Sequence, residues 1–152
     1  VKKVILVSLL PFYLILSACT QNQTYDINEF SYGLGENESS QSSIKFEIEI
    51  IIPKDNSKRI DTSSIKPIVG SWVKNKVINV DIKDIKDNDI ENSNLLYIKG
   101  EVSFDNEGLS YEELEKLNKK EPAFLGLSFI NESKNSYDIT FQKNNVDVIE
   151  RK

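Results

Sequence analysis

Ile44, Phe46, Ile48, Ile50 and Ile52 occupy every second position of one stretch, with Lys45, Glu47 and Glu49 between the first four. Only an extended strand gathers such a set on one side, because successive side chains point to opposite faces. A helix of 3.6 residues per turn scatters it around its circumference. Pro53, which has no N–H to give a ladder, closes the stretch. A second run repeats the period, with Leu96, Ile98, Gly100, Val102 and Phe104 on one face and Tyr97, Lys99, Glu101 and Ser103 on the other. Strands with one apolar face each must bury that face against another layer.

Shorter runs rich in β-branched and aromatic residues complete the set. They cover residues 67–73 and 76–82 around a Lys74-Asn75 turn, 124–130 and 137–142 around a hairpin loop at 131–135, and 146–149 after an Asn144-Asn145 turn. In the run 124–130, Phe124, Gly126 and Ser128 are expected on one face and Leu125, Leu127 and Phe129 on the other. The small face is read as a close sheet contact, with an exposed groove as the alternative. Lys54 to Ser57 reads as a loop. One helix is signalled: Ser110 as N-cap with Glu113 three residues on is a capping box, and Leu109 with Leu114 fits a hydrophobic staple. Acidic residues lie early and basic ones late, as the helix dipole favours, and Pro122 ends it. Tyr111, Leu114 and Leu117 make one apolar stripe, enough to cover a sheet end.

The expected fold is therefore all-β: an immunoglobulin-like β-sandwich of about seven strands with one short helix, a small β-barrel being the alternative. The Cys…Trp…Cys pattern of true immunoglobulin domains is absent. Trp72 is a candidate for the buried tryptophan and Tyr137 for a corner tyrosine, each against a plain core role.

Residues 20–43 are dominated by Gln, Asn, Ser, Thr, Gly and Glu, and show neither period. Such a segment buries too little apolar area to offset its ordering entropy, so a flexible tether spanning about 27 Å is expected. Tyr25 to Tyr32 interrupts it with three aromatics. That patch is open to three readings: an added edge strand, a short binding epitope, or disorder. Gly33-Leu34-Gly35 has no preceding strand or following helix and is not a phosphate-binding turn.

At the other end, Lys2 and Lys3 precede an apolar run to Leu16 that Ser8 and Pro11 interrupt, followed by Ser17, Ala18 and Cys19. This is the three-part plan of an export signal, too short for a spanning helix of about 20 apolar residues. Leu16-Ser17-Ala18-Cys19 resembles the lipobox of bacterial lipoproteins. The resemblance implies diacylglycerol on the Cys19 sulfur, cleavage before Cys19, sometimes a further acyl chain on its amine, and residence on the extracytoplasmic face of the cell membrane. Other readings are a secretory signal with an incidental cysteine, or an uncleaved anchor. Two acyl chains hold a protein stably where one does so marginally. The expected organisation is a signal peptide (1–18), lipidated cysteine and tether (19–43), and sandwich domain (44–152).

Composition excludes several chemistries. The chain has no histidine and one cysteine, which rules out Ser-His-Asp and Cys-His catalysis, histidine-ligated metals and an internal disulfide. Residues 1–18 carry Lys2 and Lys3 and no acid, so without them the net charge of −5 becomes −7. That balance disfavours nucleic acid. Asp81, Asp84, Asp87, Asp89 and Glu91 concentrate oxygen ligands, and Asp87, Asp89 and Glu91 have the alternate spacing of a calcium loop. Asn92 and Ile98, however, stand where an EF-hand needs glycine and glutamate, so a solvated acidic loop is expected. Glu112, Glu113 and Glu115 lie along one helical turn instead of facing each other across a cleft, as glycoside hydrolysis requires.

No cofactor and no catalytic residue are expected. The functional expectation is a non-enzymatic, membrane-anchored module recognising a protein or envelope component through loops or a strand edge. Its alternatives are an inhibitor or exclusion lipoprotein whose acidic segment binds a basic cell-wall hydrolase, and an accessory subunit of an envelope transporter.

Overall fold

The computed structural model describes residues 25–36, 40–142 and 145–152. The leader, Cys19 and Asn144 lie outside them. The described residues contain β1 (Asp26–Glu36), β2 (Gln41–Pro53), β3 (Ile60–Val69), β4 (Val77–Ile90), β5 (Ser93–Asp105), β6 (Phe124–Asn131), β7 (Ser136–Gln142) and β8 (Asn145–Arg151). A one-turn helix, α1 (Ser71–Lys74), links β3 to β4, and α2 (Tyr111–Lys120) links β5 to β6. All pairings are antiparallel, in two sheets ordered β1-β2-β5-β4 and β3-β6-β7-β8. Lettered A to G, the first seven strands give A-B-E-D and C-F-G, the constant-type immunoglobulin order, and β8 is added beyond G. Each sheet ends in two edges, so the fold is a sandwich and not a closed barrel.

The two alternating runs form the centre of the first sheet. Ile44 pairs with Val102, Phe46 with Gly100, Ile48 with Ile98 and Ile50 with Leu96, and all eight are buried. Each large apolar side chain buried this way contributes about 1.5–3 kcal/mol. Gly100 is required because the Phe46 ring lies over it: a Cβ there would sit 2.4 Å from Phe46 Cζ. α2 forms as its signals predict. Ser110 Oγ accepts from Glu113 N, Glu113 Oε2 accepts from Ser110 N at 2.9 Å, and Leu114 is buried.

Several expectations need correction. The tether does not run to residue 43. β1 pairs along β2 from Asp26 to Glu36, and the sandwich begins at Tyr25, not at Ile44. The aromatic patch supplies the apolar area that the surrounding polar residues lack. Tyr25 is 1% exposed and stands edge-on to Phe129 and Tyr137, both at 5.0 Å, with its hydroxyl donating to Lys58 O at 2.8 Å. Residues 67–82 are not a hairpin. β3 and β4 belong to different sheets, because the chain crosses over through α1, pinned by Trp72 Nε1 donating to Glu121 O at 2.9 Å. Trp72 is thus an anchor beside Phe104, not a strand-C tryptophan. Tyr137 lies on β7, where it packs as a core residue instead of marking a corner at the start of the sixth strand. The acidic segment is no loop: β4 runs through Ile90.

The face pattern of β6 also differs. Phe124, Leu127 and Phe129 are all buried, because the register against β3 slips between Ile68 and Val69 and switches the faces around Gly126. Gly126 has φ +157°, and a Cβ there would lie 1.8 Å from Ile139 O. The close contact within the sheet is therefore one of backbone on backbone.

Two measurements check this account. Gly126→Ala must separate β6 from β7 and is expected to cost about 3 kcal/mol in urea unfolding. Burial pushes the Tyr25 phenol up to about 12, the Asn131 side chain working the other way. The folded-state value lies above the unfolded one, so the contribution is intact below about pH 10 and is lost as pH rises through about 12, at most about 3 kcal/mol. Unfolding curves from pH 8 to 11.5 are expected to fall more steeply for the native chain than for Tyr25→Phe.

Candidate functional site

The two sheets do not cover each other completely, and the openings differ in chemistry. On the side where β1 faces β7 and β8, a groove of about 440 Å³ is lined by Ile27, Phe30, Tyr32, Phe124, Phe141 and Val146, with Asn28, Glu29 and Asn145 among its polar members. Alternation along β1 turns Phe30 and Tyr32 inward, and β6 and β7 supply the buried Phe124 and Phe141. The Phe30 ring lies 3.6 Å from that of Phe141 with 4° between their planes, and 5.8 Å from Phe124. Phe124 in turn stacks on Phe46 at 4.7 Å.

Tyr32 is fixed at its polar end. Its hydroxyl donates to Asn118 Oδ1 at 3.1 Å, and the same oxygen accepts from Ala123 N at 2.7 Å. Asn28 Nδ2 donates to Glu49 Oε2 at 2.6 Å on the outer face. The groove therefore has rigid aromatic walls, an exposed Val146 at its mouth, and polar groups at its rim. This is the make-up of a site that takes an apolar group and orients it by a few hydrogen bonds.

The second opening lies between β3 and β4. It is polar and holds the acidic residues of interest. Asp87 and Asp89 share the inward face of β4, so their Cα atoms are about 7 Å apart along the strand. Each faces a cation: Arg59 Nη2 is 3.5 Å from Asp87, and Lys54 Nζ is 2.7 Å from Asp89. Glu91 is exposed in the turn between β4 and β5. Asp84 lies on the outer face with Lys86 Nζ at 2.7 Å. A strand separates alternate carboxylates that a loop could fold around one ion. Among the described residues no group of three Asp, Glu, Cys or His side chains is placed to hold a metal. The segment is also not a purely acidic surface, since cations from within and beyond it pair with three of its aspartates.

Of the α2 carboxylates singled out, Glu113 is engaged in capping, and Glu121 beyond the helix binds the first residue of α1. Backbone and side-chain hydrogen bonds from Ser110 hold Glu113 below the usual glutamate range. Glu121 is lowered by Ser71, whose hydroxyl and N–H donate to it at 2.6 and 2.8 Å. Cys19, the expected lipidation site, lies outside the described residues. Sequence reasoning singled out the aromatic patch but did not join it to Phe124 and Phe141. Nothing local marks residues some 90 to 110 positions apart as walls of one groove. No helix among the described residues is long and apolar enough to cross a membrane.

In comparisons with protein-family models, curated proteins and solved structures, nothing matches this chain.

Phe30 is the plate between Phe141 and the solvent side of the groove. Phe30→Ala is expected to cost about 2–4 kcal/mol in chemical denaturation, below a fully buried phenylalanine because Phe30 is partly exposed.

Proposed function

We propose that this protein is a lipid-anchored interaction module on the extracytoplasmic face of a cell membrane, and that it recognises a protein or envelope component without catalysing a reaction. The groove between β1 and β8 carries this reading: it offers stacked aromatic walls, an exposed apolar mouth and a polar rim. The export signal and the Leu16-Ser17-Ala18-Cys19 lipobox supply the address, and five residues separate Cys19 from Tyr25. A domain held so near a membrane meets partners by lateral encounter, so a modest groove suffices where a soluble protein would need higher affinity.

Two measurements test this reading. Native protein is expected in the membrane fraction and Cys19→Ser in the soluble fraction; the same distribution for both defeats the anchoring. A photo-crosslinking residue placed at Val146 is expected to capture a partner in the intact envelope, whereas one at Ser63, on the far edge, does not. Capture at Ser63 equal to that at Val146 removes the groove from the account.

A further inference from the structure

β4 is the last strand of its sheet, and no described residue pairs with its outer edge. Its central hexad reads Asp81-Ile82-Lys83-Asp84-Ile85-Lys86. Read backwards, the isoleucines keep their places and every charge changes sign. A strand with that property is complementary to a second, antiparallel copy of itself.

The backbone strengthens the point. The register against β5 slips between Ile82 and Asp84, leaving Lys83 as the extra residue of a bulge. Asp81 stands opposite Glu101, Asp84 opposite Lys99 and Lys86 opposite Tyr97, all on the outer face, and Lys83 Nζ binds Glu101 on that face too. Ile82 stands opposite Gly100 and Ile85 opposite Ile98, on the inner face. From 81 to 86 the faces run out, in, out, out, in, out. Without the bulge, Lys83 and Asp84 would point to opposite sides. With it, the faces are as symmetric as the charges, and a two-fold axis perpendicular to the sheet joins two copies with both inner faces on one side.

We infer that a second copy of this chain docks antiparallel on β4, making one eight-stranded sheet across the dyad. Asp81 then faces the partner's Lys86, Lys83 faces the partner's Asp84, and Ile82 faces the partner's Ile85. Symmetry doubles each contact, as an isologous interface requires. The arrangement also answers an oddity of the single chain. Asp81 lies opposite Glu101, a like-charge pair that disfavours the sheet, and has no cationic partner among the described residues. Ile82 and Ile85, each partly exposed, are covered in the dimer. Val80 faces the partner's Asp87, whose carboxylate is already directed to Arg59, and the second slip, between Val77 and Asn79, ends the matched stretch.

Sedimentation velocity of the full chain in detergent is the test. The native chain is expected to show a concentration-dependent dimer. Lys86→Asp and Asp81→Lys each place like charges across the dyad and are expected to weaken self-association at least about tenfold. Mixed in equal amounts, the two variants restore opposite charges at both contacts and are expected to recover the dimer. Asp81→Lys also relieves the repulsion with Glu101, so its thermal stability as a monomer should not fall, which separates loss of docking from loss of fold. A native chain that stays monomeric at concentrations on the order of 100 μM, variants that associate as the native chain does, or a mixture that does not recover, overturns the inference.

Discussion

The contact on which the rest of the molecule depends is the aromatic stack that crosses between the sheets. Phe46 from the middle of the first sheet meets Phe124 from the second at 4.7 Å, and Phe30 from the edge of the first lies flat on Phe141 of the second at 3.6 Å. Immunoglobulin domains commonly tie their sheets with a disulfide packed on a tryptophan. A chain with a single cysteine has no such tie, and stacked rings take its place. Each large ring brings both buried area and a stacking preference worth about 0.5–1.5 kcal/mol beyond it. The near-parallel planes also set how the sheets lie on each other, which isoleucine packing alone leaves loosely specified.

That stack explains why the polar N-terminal segment folds. β1 is an edge strand with two glycines and few apolar residues, and its ladder to β2 alone is a weak reason to stay. Tyr25 at one end reaches across the sandwich to Lys58 O, and Phe30 and Tyr32 farther along are gripped by the second sheet and by Asn118 of α2. The strand is held by side chains that cross to the other layer.

Where periodicity was strong, the sequence was sufficient. β2, β5, α2 and its capping box follow from spacing alone, since each satisfies one local rule that tertiary packing does not oppose. The departures each have a physical cause. Of the three readings open for Tyr25 to Tyr32, the edge strand holds; residues 33–43 look like tether only because composition averages over a window, whereas three rings decide the outcome. The charges of β4 beyond Ile82 suggest a solvated acidic loop, yet an edge strand is half solvated and tolerates them. The β3–β4 crossover looks like a hairpin in sequence because a four-residue helix carries no periodic signal. The groove was invisible for a different reason: Phe30, Phe124 and Phe141 meet only once the topology is known. Cys19 is the opposite case, a residue whose meaning rests wholly on its neighbours in sequence.

The edges then decide what this sandwich can do with its surroundings. An uncovered edge invites pairing, and proteins blunt such edges with bulges, prolines and inward charges. β3 carries Pro67 and a break in its register between Asp61 and Lys66, which suits an edge that stays alone. β4 has bulges and the inward Asp87 and Asp89, but its central bulge restores symmetry where an unmatched one would spoil pairing. A strand protected against strangers in this way still admits its own copy. Joined on β4, two chains present their grooves at the far ends of one long sheet. On the proposed lipid-anchored reading, two anchors in one particle would bind a membrane far more firmly than one, and two grooves would raise the effective concentration of the second encounter without a new contact in either.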